Sequence, residues 1–97
     1  MKRIYLDNAA TTPILPEVIV AISDAMATTF GNPSSSHQDG RKAKSLVETA
    51  RKNIAKRLNA SANEIIFTAG GSEADNLILF NAVKNLGVER IISSAIE

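Results

Sequence analysis

Ile65-Ile66-Phe67-Thr68-Ala69-Gly70-Gly71-Ser72-Glu73-Ala74-Asp75-Asn76 carries the most informative change of pattern in the chain. Its apolar start, with Glu64 before it, reads as a buried strand over residues 64–68. Two consecutive glycines then permit a sharp bend, and the pattern beyond them predicts a helix from about Ser72 to Leu86. Leu77-Ile78-Leu79-Phe80 puts apolar groups on every side of that helix, so it wants covering all round. Gly87 suits a left-handed C-terminal cap, and Arg90-Ile91-Ile92-Ser93-Ser94 reads as a second strand. Strand, helix and strand within ~30 residues is the signature of a βαβ unit in a parallel sheet. A single unit of this kind leaves sheet edges and helix faces uncovered, so residues 64–97 read as the start of a larger sheet.

The same turn is the strongest chemical signal. The first N–H groups of a helix have no partner within it, so a phosphate placed there gains several hydrogen bonds, the positive helix end and the Ser72 hydroxyl. The spacing is neither G-x-G-x-x-G nor G-x-x-x-x-G-K-[ST], and the mechanisms tied to those motifs lose support. A plainer reading stands beside it: the glycines only make the turn, Ser72 caps the helix and Asp75 completes a capping box.

Working outward, residues 1–63 read as loops and helices. Ile14 to Phe30 reads as a helix with Pro16 in its first turn, where a missing N–H costs nothing. Gly31-Asn32-Pro33-Ser34-Ser35-Ser36-His37 is a break and loop. A second helix is predicted from about Arg41 to Leu58, with Ala43, Leu46, Val47, Ala50, Ile54 and Leu58 as its apolar stripe. Lys and Arg occupy positions 41, 42, 44, 51, 52, 56 and 57 of that helix, against Glu48 alone. These charges spread round most of the circumference without interleaved aromatics, which favours a solvated face over a nucleic-acid contact.

Composition sets the outer limits. The chain has 97 residues, is 44% hydrophobic and 22% charged, and carries a formal net charge of +1. It is therefore read as a globular piece with no field that selects nucleic acid or a membrane. With no Cys, this stretch offers no disulfide scaffold, thiolate metal site or cysteine nucleophile. Its apolar runs are too short to span a bilayer, and a soluble, cytoplasmic setting is expected. His37 is the single histidine and lies in a loop, where a hydrogen-bonding role is commoner than catalysis. Asn8 and Asn32 sit among turn-forming residues, where side-chain-to-backbone hydrogen bonds are usual. No cluster has metal-ligand spacing, so no metal is expected, and no residue is assigned a catalytic role.

Three segments together resemble the amino-terminal signatures of cysteine desulfurases, which are pyridoxal-phosphate enzymes of the class-V aminotransferase type. They are Tyr5-Leu6-Asp7-Asn8-Ala9-Ala10-Thr11-Thr12-Pro13, Gly31-Asn32-Pro33-Ser34-Ser35-Ser36-His37 and the stretch 65–76 quoted above. Selenocysteine lyases and related class-V enzymes look similar in these segments. The resemblance runs across the whole chain, with the helix Ala43–Leu58 between the second and third signatures.

The resemblance implies the amino-terminal portion of a fold-type-I α/β enzyme, with helices followed by a β-α-β unit of a mainly parallel sheet, working as a homodimer. It places the cofactor phosphate on Gly71 and Ser72, where the usual residue is Thr in place of Ser72. Asn8, Asn32 and His37 become pocket or dimer-contact residues. The implied activity takes sulfur from L-cysteine to give alanine and a protein-bound persulfide, which passes to a sulfur-acceptor protein for iron–sulfur cluster assembly or thiolation. A lysine and a mobile-loop cysteine do that chemistry in the family. This chain has no Cys, and none of its lysines lies in a segment resembling the cofactor-lysine motif. The 97 residues alone are therefore predicted to be inactive. A selenocysteine lyase or another class-V aminotransferase-like enzyme is the alternative activity, and a non-catalytic phosphate-binding or self-associating fragment is the alternative of another class.

Overall fold

A computed structural model describes residues 3–96. They divide into two units, one up to Ala62 and one from Asn63 onward.

The first unit holds helix α1, Pro16–Thr28, and helix α2, Gln38–Arg57. Pro16 stands in the first turn of α1, with Glu17 beside it favouring the positive helix end. The far end of α1 has no basic residue of its own. Lys42 of α2 supplies one, its Nζ donating to the Thr28 carbonyl at 2.6 Å. Thr28 also folds its hydroxyl back onto the Asp24 carbonyl at 2.9 Å, so the last turn of α1 is closed by side chains from both helices.

Helix α2 starts at His37, whose Nδ1 accepts the Gly40 N–H, and ends in a Schellman motif. Asn59 takes the left-handed conformation there at φ 52°, its N–H donates to the Lys56 carbonyl, and the Ala60 N–H donates to that of Ala55. Gly40, Ala43 and Ala55 form the buried side of α2, with Val47 half-buried between them. The expected apolar stripe is thus only partly covered. Of its members Ala43 is buried and Val47 half-buried, whereas Leu46, Ala50, Ile54 and Leu58 stay exposed.

The second unit is organised round helix α3, Gly71–Asn85, preceded by a single 3₁₀ turn at Ala62–Glu64. Gly87 adopts φ 65° just beyond the helix, as its position suggested, and the Val88 N–H returns to the Ala82 carbonyl. The β-α-β unit did not form: among the described residues there is no β-strand, and residues 65–68 and 90–94 carry no regular structure. A strand exists only through its ladder, and two parallel strands without further strands or a covered face are marginal. Ile66, Phe67, Ile91 and Ile92 accordingly lie exposed. No helix among the described residues is long and apolar enough to cross a membrane.

Candidate phosphate-binding turn

The start of α3 is shaped by five consecutive residues of one turn and the glutamate that follows them. Gly70 is the N-cap, in extended backbone at φ 176° and ψ 177°, and provides no side-chain cap. Glu73, three residues on, reaches back so that its Oε2 accepts the Ala69 N–H at 2.7 Å, one residue before the N-cap N–H that a capping box engages. Thr68 Oγ1 donates to the Gly70 carbonyl at 3.1 Å, and the Ala74 N–H donates to the same carbonyl. The N–H groups of Gly71, Ser72 and Glu73 precede the first intrahelical bond and have no helical partner.

Ser72 is therefore not the cap, and Asp75 is not part of a capping box. The helix begins at Gly71, which moves the cap two residues, from Ser72 to Gly70, and the helix-start acceptor from Asp75 to Glu73. That shift has a chemical consequence. The Ser72 carbonyl accepts from Asn76 Nδ2 at 2.7 Å, while among the described residues no hydrogen bond engages the Ser72 hydroxyl. A Cβ built at Gly70 or Gly71 would meet nothing within 4 Å. Neither glycine is demanded by its neighbours here, and both leave the approach to the N–H groups open. An oxyanion at this point would find backbone donors, a free hydroxyl and the positive end of a helix of 15 residues.

The other residues singled out in the sequence lie in the first unit. Asn8 sits in the exposed turn 8–10, which is closed by the Ala10 and Thr11 N–H groups on the Asp7 carbonyl. Tyr5 and Thr11 join their hydroxyls across it at 2.6 Å. Asn32 and His37 share one loop and are both tied to backbone. Asn32 Oδ1 accepts the Ser34 N–H at 2.9 Å, and His37 Nδ1 accepts the Gly40 N–H at 3.3 Å. Both side chains are otherwise exposed.

Three residues that sequence reasoning passed over help to shape these sites. Glu73 closes the turn before α3, and its place three residues after Gly70 was a readable helix-start signal. Gly31 and Gly40 have no such signature, because a close approach between a loop and the helix that follows it leaves no periodic trace.

Comparison with known proteins bears on what such a turn serves. The family model for class-V aminotransferases matches residues 4–97. Selenocysteine lyase of Bos taurus is 48% identical over 84 residues, covering 87% of this chain and 19% of that protein. Selenocysteine lyase of Xenopus laevis is 51% identical over 83 residues, 86% of this chain and 20% of that protein. Cysteine desulfurase IscS of Dictyoglomus turgidum is 44% identical over 100 residues, covering 100% of this chain and 25% of that protein. The chain thus spans a fifth to a quarter of the length of these relatives. With the family pattern matched over nearly all of its residues, the chain belongs to the class-V aminotransferases, whose architecture is that of the fold-type-I pyridoxal-phosphate enzymes.

Proposed function

We propose that the full-length protein carrying these residues is a pyridoxal-phosphate-dependent cysteine desulfurase. It would take sulfur from L-cysteine, leaving alanine, and hold that sulfur as a protein-bound persulfide for a sulfur-acceptor protein. The observation that carries the reading is the open first turn of α3 inside a match to the class-V family. Similarity to cysteine desulfurases over 99–100% of the chain, at 42–46% identity, supports the choice of sulfur. Selenocysteine lyases are similar over 86–87% of the chain at 45–51% identity, and they support removal of selenium from selenocysteine as the second reading.

The residues present fit the cofactor's phosphate. Gly71 and Ser72 would hold it, through their N–H groups and the Ser72 hydroxyl, with no side chain in the way. When bound, the cofactor ring supplies an electron sink for the substrate's reacting carbon. The part of this chain is to fix the phosphate, and so the ring, relative to the substrate. Asn8, Asn32 and His37 would border the pocket or the contact between the subunits of a homodimer, in a cytoplasmic enzyme. The groups that attack sulfur do not belong to these 97 residues, which contain no Cys.

The deciding experiment offers the full-length protein L-cysteine and L-selenocysteine in turn, with added cofactor, and follows alanine. A higher kcat/KM for cysteine upholds the desulfurase, and a strong preference for selenocysteine moves the assignment to the lyase. Turnover of neither defeats both and leaves the non-catalytic, phosphate-binding reading.

A further inference from the structure

We infer that Gly40 is a positioning residue for His37, and that the two together present His37 Nε2–H as an outward donor. The loop 31–37 and the first turn of α2 interlock through two glycines. A Cβ at Gly40 would fall 2.7 Å from the Asn32 carbonyl oxygen and 2.8 Å from Ser35 Cβ, with the Ser35 carbonyl oxygen closer still. A Cβ at Gly31 would fall 2.9 Å from Asp39 Cβ and closer to the Asp39 carbonyl group. The loop thus presses on the helix at one glycine, and the helix presses on the loop at the other. Gly40 is one of the few buried residues among those described.

This fit sets the chemistry of His37. The Gly40 N–H can only donate, so the Nδ1 that receives it at 3.3 Å must offer its lone pair. The ring proton of the neutral side chain then resides on Nε2, the atom not used in the cap. The Ser35 N–H on the Asn32 carbonyl at 3.0 Å and the Arg41 guanidinium on the Ser36 carbonyl hold the loop on either side. A capping serine, asparagine or aspartate would close α2 equally well. What histidine adds is a second, outward donor whose direction the Gly40 contact fixes, suited to an oxygen acceptor on a bound substrate.

The test has two arms, both on the full-length protein. In the first, histidine nitrogens are labelled and the His37 resonances are identified by their loss in His37→Asn. The expected result is the Nε2–H form with an unprotonated Nδ1, and an Nδ1–H form overturns the inference whatever the activity. The second arm rests on the activity proposed above and uses the same variant, because asparagine keeps the cap and removes only the outward donor. His37→Asn and Gly40→Ala should each lower kcat/KM on the order of tenfold, with the melting temperature of His37→Asn unchanged. Full activity in His37→Asn defeats the inference. Inactivity of the unsubstituted protein on both amino acids defeats the functional assignment instead, and the nitrogen signals, recorded also for Gly40→Ala, still decide whether Gly40 sets the His37 proton position.

Discussion

At the scale of single residues, the first turn of α3 separates what the fold needs from what a ligand needs. Gly71 lies inside the helix with open space where a side chain would go. Gly71→Ala should therefore leave stability unchanged or raise it by up to about 1 kcal/mol, since alanine is the better helix former. The same methyl would stand in front of the N–H groups, so cofactor affinity of the full-length protein should fall. Thermal unfolding and a cofactor titration check the two halves, and a loss of stability with intact affinity would reverse the assignment of roles. Ser72→Ala tests the hydroxyl alone. It should weaken cofactor binding by about 1–2 kcal/mol while the backbone donors remain, and an unchanged affinity would mean that the hydroxyl does not reach the phosphate. Glu73 belongs to the fold: Glu73→Ala removes the acceptor of the Ala69 N–H and should cost roughly 0.5–1.5 kcal/mol, whereas Glu73→Gln keeps an acceptor there.

At the scale of elements, the ends of the helices carry more information than their middles. Pro16, Asn59 and Gly87 each do at a terminus what their chemistry allows nowhere else: a missing donor at a start, and positive φ at two ends. Gly87→Ala should accordingly destabilise the full-length protein by about 1 kcal/mol, read from its melting temperature, because φ 65° strains any residue with a Cβ. These terminal signals made all three helices legible in the sequence to within three residues at either end. The strands were not legible in the same way. Ile65-Ile66-Phe67 and Ile91-Ile92 have strand chemistry, yet a strand is a relation between two segments, and a segment's own composition supplies only half of it. The site shows the same division. The glycines, Ser72 and the helix start could be read from order alone, while the cap lies two residues before the one expected. The Gly31–Gly40 interlock was invisible because it depends on how close two backbones come.

At the scale of the whole molecule, what is buried is slight compared with what is left uncovered. Among the described residues Ala43 and Ala55 are the buried hydrophobic ones, and two methyl groups cannot offset the conformational entropy of ordering a chain of this length. Meanwhile Val18, Ile19, Val20 and Met26 of α1 and Leu77, Ile78, Phe80 and Val83 of α3 all lie exposed, on helices whose apolar residues are not confined to one side. Phe80 is 61% exposed, with the Lys84 Nζ over its ring, 4.9 Å from the centroid. Apolar surface on this scale is what the interior of a larger α/β domain covers, in keeping with a chain that spans a fifth to a quarter of its relatives. Expressed as these 97 residues alone, the protein should self-associate or aggregate and bind a dye that reports exposed apolar surface. Sedimentation across a range of concentrations checks this. A monomer that unfolds cooperatively and leaves the dye dark would mean that these helices bury their faces against each other, and that the segment is a domain in its own right.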